Sequence, residues 1–206
     1  MGEPRRTSEV RQTELVDAAL HVIATQGIAA LSTRSLAKHV GLSSGAIFRH
    51  FSSIDALLDA VVSRVEAVLE STLPSTDLPP VERLELFVDA RSRAVGSQLG
   101  ILRLVLSDQF LLALPSGGSA RLSACVQRTR AFITECLCEG QAAGTFRADL
   151  SIDTLVPIVM GTVQMLALSS AKPAKRAAEA RAVLDSLLKL LLPPTPPPRD
   201  TTKKSK

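Results

Sequence analysis

The chain has 206 residues, 46% of them hydrophobic, which allows one or two compact units with a substantial core. Its net charge of +4 invites a nucleic-acid reading, yet the tail from Pro193 carries Arg199, Lys203, Lys204 and Lys206 against Asp200, while the first 60 residues balance their acids and bases, so position must decide where total charge does not. The most apolar stretch, Leu155 to Leu168, contains Pro157, Gly161, Thr162 and Gln164 and falls short of the roughly 20 residues a membrane span requires; the expectation is a soluble, cytoplasmic protein without membrane contact.

In chain order, Arg5 and Arg6 lead into a first helix over about Ser8 to Gln26, where Leu15, Ala18, Ala19, Val22 and Ile23 recur at helical spacing and Gly27 ends the run. The stretch Ser32 to Phe51 follows. Ser32 is placed to cap a helix over Thr33 to Val40, whose Leu36, Ala37 and Val40 form one apolar stripe. Gly41 stands where a helix closes on a left-handed residue, Leu42 folds back, and Ser43 caps a second helix. Ile47 and Phe51, four apart, give that helix an inward edge; Ala46, Arg49 and His50 lie on another, facing out. Two helices crossing at a short turn need a thin contact point, which Ala37 supplies. These requirements are those of a helix-turn-helix, whose second helix enters a DNA major groove.

Beyond Phe51, Ser53 caps a fourth helix with Asp55 in its first turn, and Leu57, Leu58, Val61, Val65, Val68 and Leu69 carry its apolar face to about Thr72. Pro74, Pro79 and Pro80 then mark a boundary. The rest predicts helices only: Val81 to Gly96, Gly100 to Leu114, Ala120 to Ala143 closed by Gly144, one from Ser151 or Asp153 to Ser170 bent near Pro157, and one from Ala174 to Leu192. The last two are too hydrophobic for a monomer's surface and predict a two-fold interface between copies. The end, PPTPPPRDTTKKSK, predicts a disordered tail.

Chemistry-bearing residues are sparse. Cys125, Cys136 and Cys138 share one helical segment and read as core, not as a bridge or a sensor. His21, His39 and His50 lack metal-ligand spacing, and no phosphate loop or nucleophile motif occurs, so neither an enzyme nor a cofactor is expected. Leu102, Val105, Leu106, Phe110, Leu111, Val126, Phe132 and Met165 mark an apolar cavity or simply core; no ligand-binding residue is assigned.

This order resembles the TetR family of bacterial transcriptional regulators. The likeness is carried by Gly27, by Ser32-Thr33-Arg34-Ser35-Leu36-Ala37, by Val40-Gly41-Leu42-Ser43-Ser44-Gly45-Ala46-Ile47-Phe48-Arg49-His50-Phe51 and by Asp55-Ala56-Leu57-Leu58, with a weaker echo in Gly144-Thr145-Phe146-Arg147-Ala148-Asp149. It implies an all-α fold of about nine helices: a three-helix DNA-binding domain at 1–52, a helical ligand-binding and dimerisation domain at 53–192 with 53–72 as connecting helix, and the tail at 193–206. It further implies a homodimer, joined through helices at about 152–170 and 174–192, that binds double-stranded DNA at a palindromic operator as a repressor and is released by a small molecule of unknown identity. Few aromatics and many aliphatics lean toward an apolar effector. Matching positions assign DNA contact to Thr33, Arg34, Ser43, Ser44, Ala46, Phe48, Arg49 and His50, with Arg49 on a base and His50 on a phosphate. The family commonly has Tyr at the place of Phe48, Lys at that of Ile54 and often Lys at that of Ser44. Those losses remove phosphate contacts unless Arg5, Arg6 and Lys38 compensate, and they motivate an alternative, a helical ligand-binding or scaffold protein with weakened DNA binding.

Overall fold

The structure, a computed structural model, describes residues 8–97, 108–114, 117–168 and 173–193. Among these residues all regular structure is helical: α1 Ser8–Gln26, a 3₁₀ turn Ile28–Ala30, α2 Thr33–Val40, α3 Ser44–Ile47, α4 Ile54–Glu70, α5 Pro80–Ser97, α6 Asp108–Ala113, α7 Gly118–Ala142, α8 Ile152–Leu168 and α9 Pro173–Leu191. Serine hydroxyls set three of the starts. Ser32, Ser43 and Ser53 accept from the backbone N–H groups of Ser35, Ala46 and Ala56, at 3.1, 3.2 and 3.0 Å, each satisfying a donor the first turn leaves free. Pro80 and Pro173 open α5 and α9, where the missing N–H costs nothing.

Burial divides the side chains between two apolar clusters. The first joins α1, α2, Ile47 and Phe51 to the inner face of α4 and to Leu122 and Cys125 of α7; the second joins Leu84, Phe87 and Val88 of α5 to the later turns of α7, to α8 and to α9. Helix α7 therefore belongs to both clusters, and charge locks α4 to it. Arg121 on α7 reaches Asp59 at 2.6 Å, Ser63 at 2.8 Å and the Glu66 carboxylate, and Arg128 pairs with Glu70, the last residue of α4. The hydrogen bond to Glu66 is the largest of the influences that hold the Arg121 guanidinium above its ordinary pKa.

The run from Gly144 to Asp149 ties α7 to the end of α9. Gly144 takes φ of 71°, a left-handed value suited to a residue without a Cβ. Phe146 is buried flat against Gly140, where any side chain would overlap the ring. Arg147 donates its backbone N–H to Leu191 O at 2.7 Å and its guanidinium to Leu190 O at 3.3 Å, satisfying carbonyls that α9 leaves unpaired at its end.

Several expectations shift. Regular α-helix in α3 ends at Ile47, not Phe51, because Arg49 and His50 donate to Ala46 O and Ile47 O, three residues back, and wind residues 48–50 into a tighter turn. Phe51 nevertheless bonds to Ile47 O at 3.0 Å and stays buried. α4 stops at Glu70, with Ser71 and Thr72 in the turn that follows. α8 runs unbroken through Pro157, whose ring lies on an exposed face. Leu42 is half-buried and outside the first cluster. Of the cysteines, Cys125 and Cys136 are buried as expected, but Cys138 is exposed. Of the helix expected over 100–114, residues 108–114 are described and Asp108–Ala113 are helical, while Arg5, Arg6 and the tail beyond Pro193 lie outside the described residues.

Candidate nucleic-acid interface

The α2–α3 hairpin is held rigid at both ends of its turn. At the start, Ser32 Oγ accepts from Ser35 N while Ser35 Oγ accepts from Ser32 N at 2.9 Å, a reciprocal box in which a second serine does the work usually given to glutamate. Ser35 Oγ also lies 2.8 Å from Ala30 O and so fastens the box to the preceding 3₁₀ turn. At the far end Gly41 adopts φ 69°, ψ 34°, and the N–H groups of Gly41 and Leu42 both converge on Ala37 O. Leu36, Ala37 and Ile47 are buried beneath.

What remains outside is polar and cationic. Arg34, Lys38, Ser43, Ser44 and Arg49 are exposed, Thr33 and Ala46 half-exposed, and Phe48 presents 52% of its surface to solvent despite its apolar ring. Arg34, Lys38 and Arg49 have no carboxylate partner among the described residues. Arg83, Arg121, Arg128 and Arg147, by contrast, are each paired with an acid.

His50 is the exception among the predicted contact residues. It is half-buried; its Nδ1 lies 3.4 Å from Ser8 Oγ, and its carbonyl accepts from Gln12 Nε2 at 3.0 Å. The start of α1 thus clamps the end of the hairpin. Sequence reasoning misses Ser8 and Gln12, since partners about forty residues away leave no spacing signal. His21 and His39, whose ring centroids are 4.9 Å apart, form a second contact between α1 and α2. Ile54, at the place of the family's lysine, is half-buried against the first apolar cluster, so here that position serves packing.

The family model of the bacterial regulatory proteins of the TetR family matches residues 15–61, from the first fully buried leucine of α1 to the second turn of α4. Over these residues the chain is similar to the N-terminal unit of the TetR family. Among curated relatives, the nucleoid occlusion factor SlmA of Haemophilus ducreyi is 32% identical over 69 residues, which are 33% of this chain and 34% of that protein. The match thus spans about a third of the relative's length. Solved TetR-like structures extend the likeness to the whole fold. The ketosteroid regulator KstR2 of Mycobacterium tuberculosis superposes with a TM-score of 0.73 at 22% identity, covering 94% of this chain and 98% of that one. AibR, solved with isovaleryl coenzyme A and operator DNA, gives 0.71 at 16% identity, covering 90% and 100%.

No helix among the described residues is long and apolar enough to cross a membrane. Of the residues marked for an apolar cavity, Leu111 and Val126 pack on the first cluster and Phe132 lies in the second. Met165 is 69% exposed and lines no interior. Leu102, Val105, Leu106 and the side chain of Phe110 lie outside the described residues.

Proposed function

We propose that this chain is a sequence-specific DNA-binding transcriptional regulator, a repressor that leaves a palindromic operator when a small, largely apolar ligand binds its C-terminal half. The observation that carries the reading is the serine-boxed, glycine-turned hairpin whose exposed Arg34, Lys38 and Arg49 have no acidic partner among the described residues. Residues 1–52 serve as the reading domain and 53–192 as the responding one. Arg49 reads a base edge from the groove, with Ala46 thin enough to let the backbone approach. Thr33, Arg34, Ser43, Ser44, Phe48 and His50 contact the sugar-phosphate chain around it.

A palindrome requires two such hairpins, and α8 and α9 supply a reason for a second copy. Ile158, Met165, Val183 and Leu190 are large apolar side chains left 37–69% exposed on these two helices. In a homodimer they cover one another. Helix α4 transmits the ligand's effect, because its inner face belongs to the reading core while Asp59, Ser63, Glu66 and Glu70 are held by α7. AibR, solved with both an acyl coenzyme A and operator DNA, offers a precedent on this fold for the two partners.

Phe48 and Ser44 keep a second reading open: a helical ligand-binding or scaffold protein whose hold on DNA has weakened. Selection of duplexes from a random pool, followed by gel shifts at two salt concentrations, separates them. The regulator enriches a two-fold symmetric sequence and loses affinity steeply with salt. A pool that emerges unenriched overturns the proposal in favour of the scaffold.

A further inference from the structure

Helix α5 carries two buried arginines two turns apart, with Phe87 midway between them. Arg83 is wholly buried; its Nη2 meets the carboxylate of Glu139, while its Nε and Nη1 have no partner among the described residues. Arg91 is 3% exposed and forms no ion pair with an acid among the described residues, Glu70 acting on it only through space. Its Nη2 donates to Thr129 Oγ1 at 3.2 Å, and its guanidinium carbon lies 5.2 Å from the centre of the Phe87 ring. Its Nε has no acceptor, and beside it in the chain the buried Ser92 Oγ has no partner either. Thr129 cannot complete the site, since its hydroxyl is directed to Cys125 O at 3.1 Å. A cation so thoroughly removed from water, met by one neutral oxygen and a ring face, is a group whose partner is still to come.

We propose that Arg91 is an anion-binding point, and that the ligand this chain takes is an organic acid whose carboxylate docks on Arg91, with Ser92 beside it, and whose apolar body lies along the Phe87 and Phe132 side of α5 and α7. The planar guanidinium suits a carboxylate, which accepts two of its N–H bonds at once. Burial lowers the guanidinium's pKa to about 10, so it remains charged at neutral pH. Phe87 and Phe132, with ring centroids 5.3 Å apart, give the neighbourhood its apolar character. Glu70, on the last turn of α4, acts on Arg91 through space, so an acid arriving there also arrives beside the helix proposed as transmitter. The acid's role as effector rests on the regulator reading; its binding does not.

The test uses the full chain and a series of straight-chain acids from butanoate to dodecanoate, each paired with its neutral amide, followed by titration calorimetry and thermal unfolding. The expected result is binding of acids over amides at the chain length that fits, with Arg91→Met losing the acid by at least about tenfold and treating acid and amide alike. Met has similar reach and no charge, so Arg91→Met alone unfolds no earlier than the parent. Equal treatment of acids and amides by the parent, undiminished acid binding by Arg91→Met, or early unfolding of that variant would each overturn the inference, the last by making Arg91 a structural residue. If acids bind but leave the operator complex intact in gel shifts, the site stands and the effector reading falls.

Discussion

Arg49 and Gly140 illustrate two ways in which one residue matters here, by what it offers outward and by what it leaves empty. Arg49 sits in the turn after α3, exposed and without an acidic partner among the described residues. Replacing it by alanine removes one bidentate base contact, so operator affinity measured by gel shift falls by about 1 to 3 kcal/mol while circular dichroism and subunit association stay unchanged. Equal affinity on a matched duplex removes Arg49 from the interface. Gly140 acts inside α7, where Phe146 lies against its backbone. Gly140→Ala forces the ring and the turn that follows to shift, at about 1 to 3 kcal/mol of stability by urea unfolding, more than the gain a helix takes from alanine. A variant as stable as the parent would mean that Phe146 has another place to go. The thiols need no such role: burial is the largest influence on Cys136 and raises its pKa to about 11, which keeps it protonated and inert at neutral pH.

At the scale of the element, helix starts are legible where a side chain does the capping. Ser32, Ser43 and Ser53 mark α2, α3 and α4 to within a residue, because a hydroxyl one step ahead of a helix answers a local need that tertiary packing does not change. Ends and faces are harder to read. α3 finishes at Ile47 because the winding of residues 48–50 tightens beneath the clamp from Ser8 and Gln12, and no local pattern announces those partners. Met165 reads as interior because α8 is apolar nearly all round, and periodicity cannot tell which side of such a helix faces its own core. Arg83 and Arg91 escape notice for the converse reason: a charged residue on an amphipathic helix is ordinarily solvated, and only the packing of α5 on α7 places these two inside. The hairpin's outward residues are legible because Ile47 and Phe51 fix the inner edge and leave Arg49 the other. Its rigidity is testable at the caps. Ser32→Ala removes one bond of the box and costs about 1 kcal/mol. Gly41→Val, with φ at 69°, costs about 1 to 2 kcal/mol. Both lower the denaturant midpoint and weaken operator binding together; a loss of stability with undiminished binding would separate the hairpin's order from its function.

For the whole molecule the decisive quantity is the distance between two reading hairpins, which one chain cannot define. Successive major grooves on one side of DNA lie about 34 to 36 Å apart, so a two-fold assembly with the wrong separation reads nothing, and under the proposed regulator mechanism a modest tilt of α4 would switch binding off. The surface that would set this distance is the apolar side of α8 and α9, where Met165 and Leu190 are 69% and 63% exposed. Both already lie in solvent in the single subunit, so replacing them by glutamate adds no buried charge there and leaves the fold intact, whereas in a dimer interface the same carboxylates face their own copies across a dry seam. The double variant Met165→Glu, Leu190→Glu is therefore expected to sediment as a monomer with parental helicity and an unchanged α2–α3 hairpin, and to lose the tight, symmetric operator complex while retaining weak, salt-sensitive binding to any duplex. Parental sedimentation would move the interface elsewhere on the molecule. A monomer that still holds the palindrome at parental affinity would mean that a single hairpin does the reading, and that helix α4 has no spacing to control.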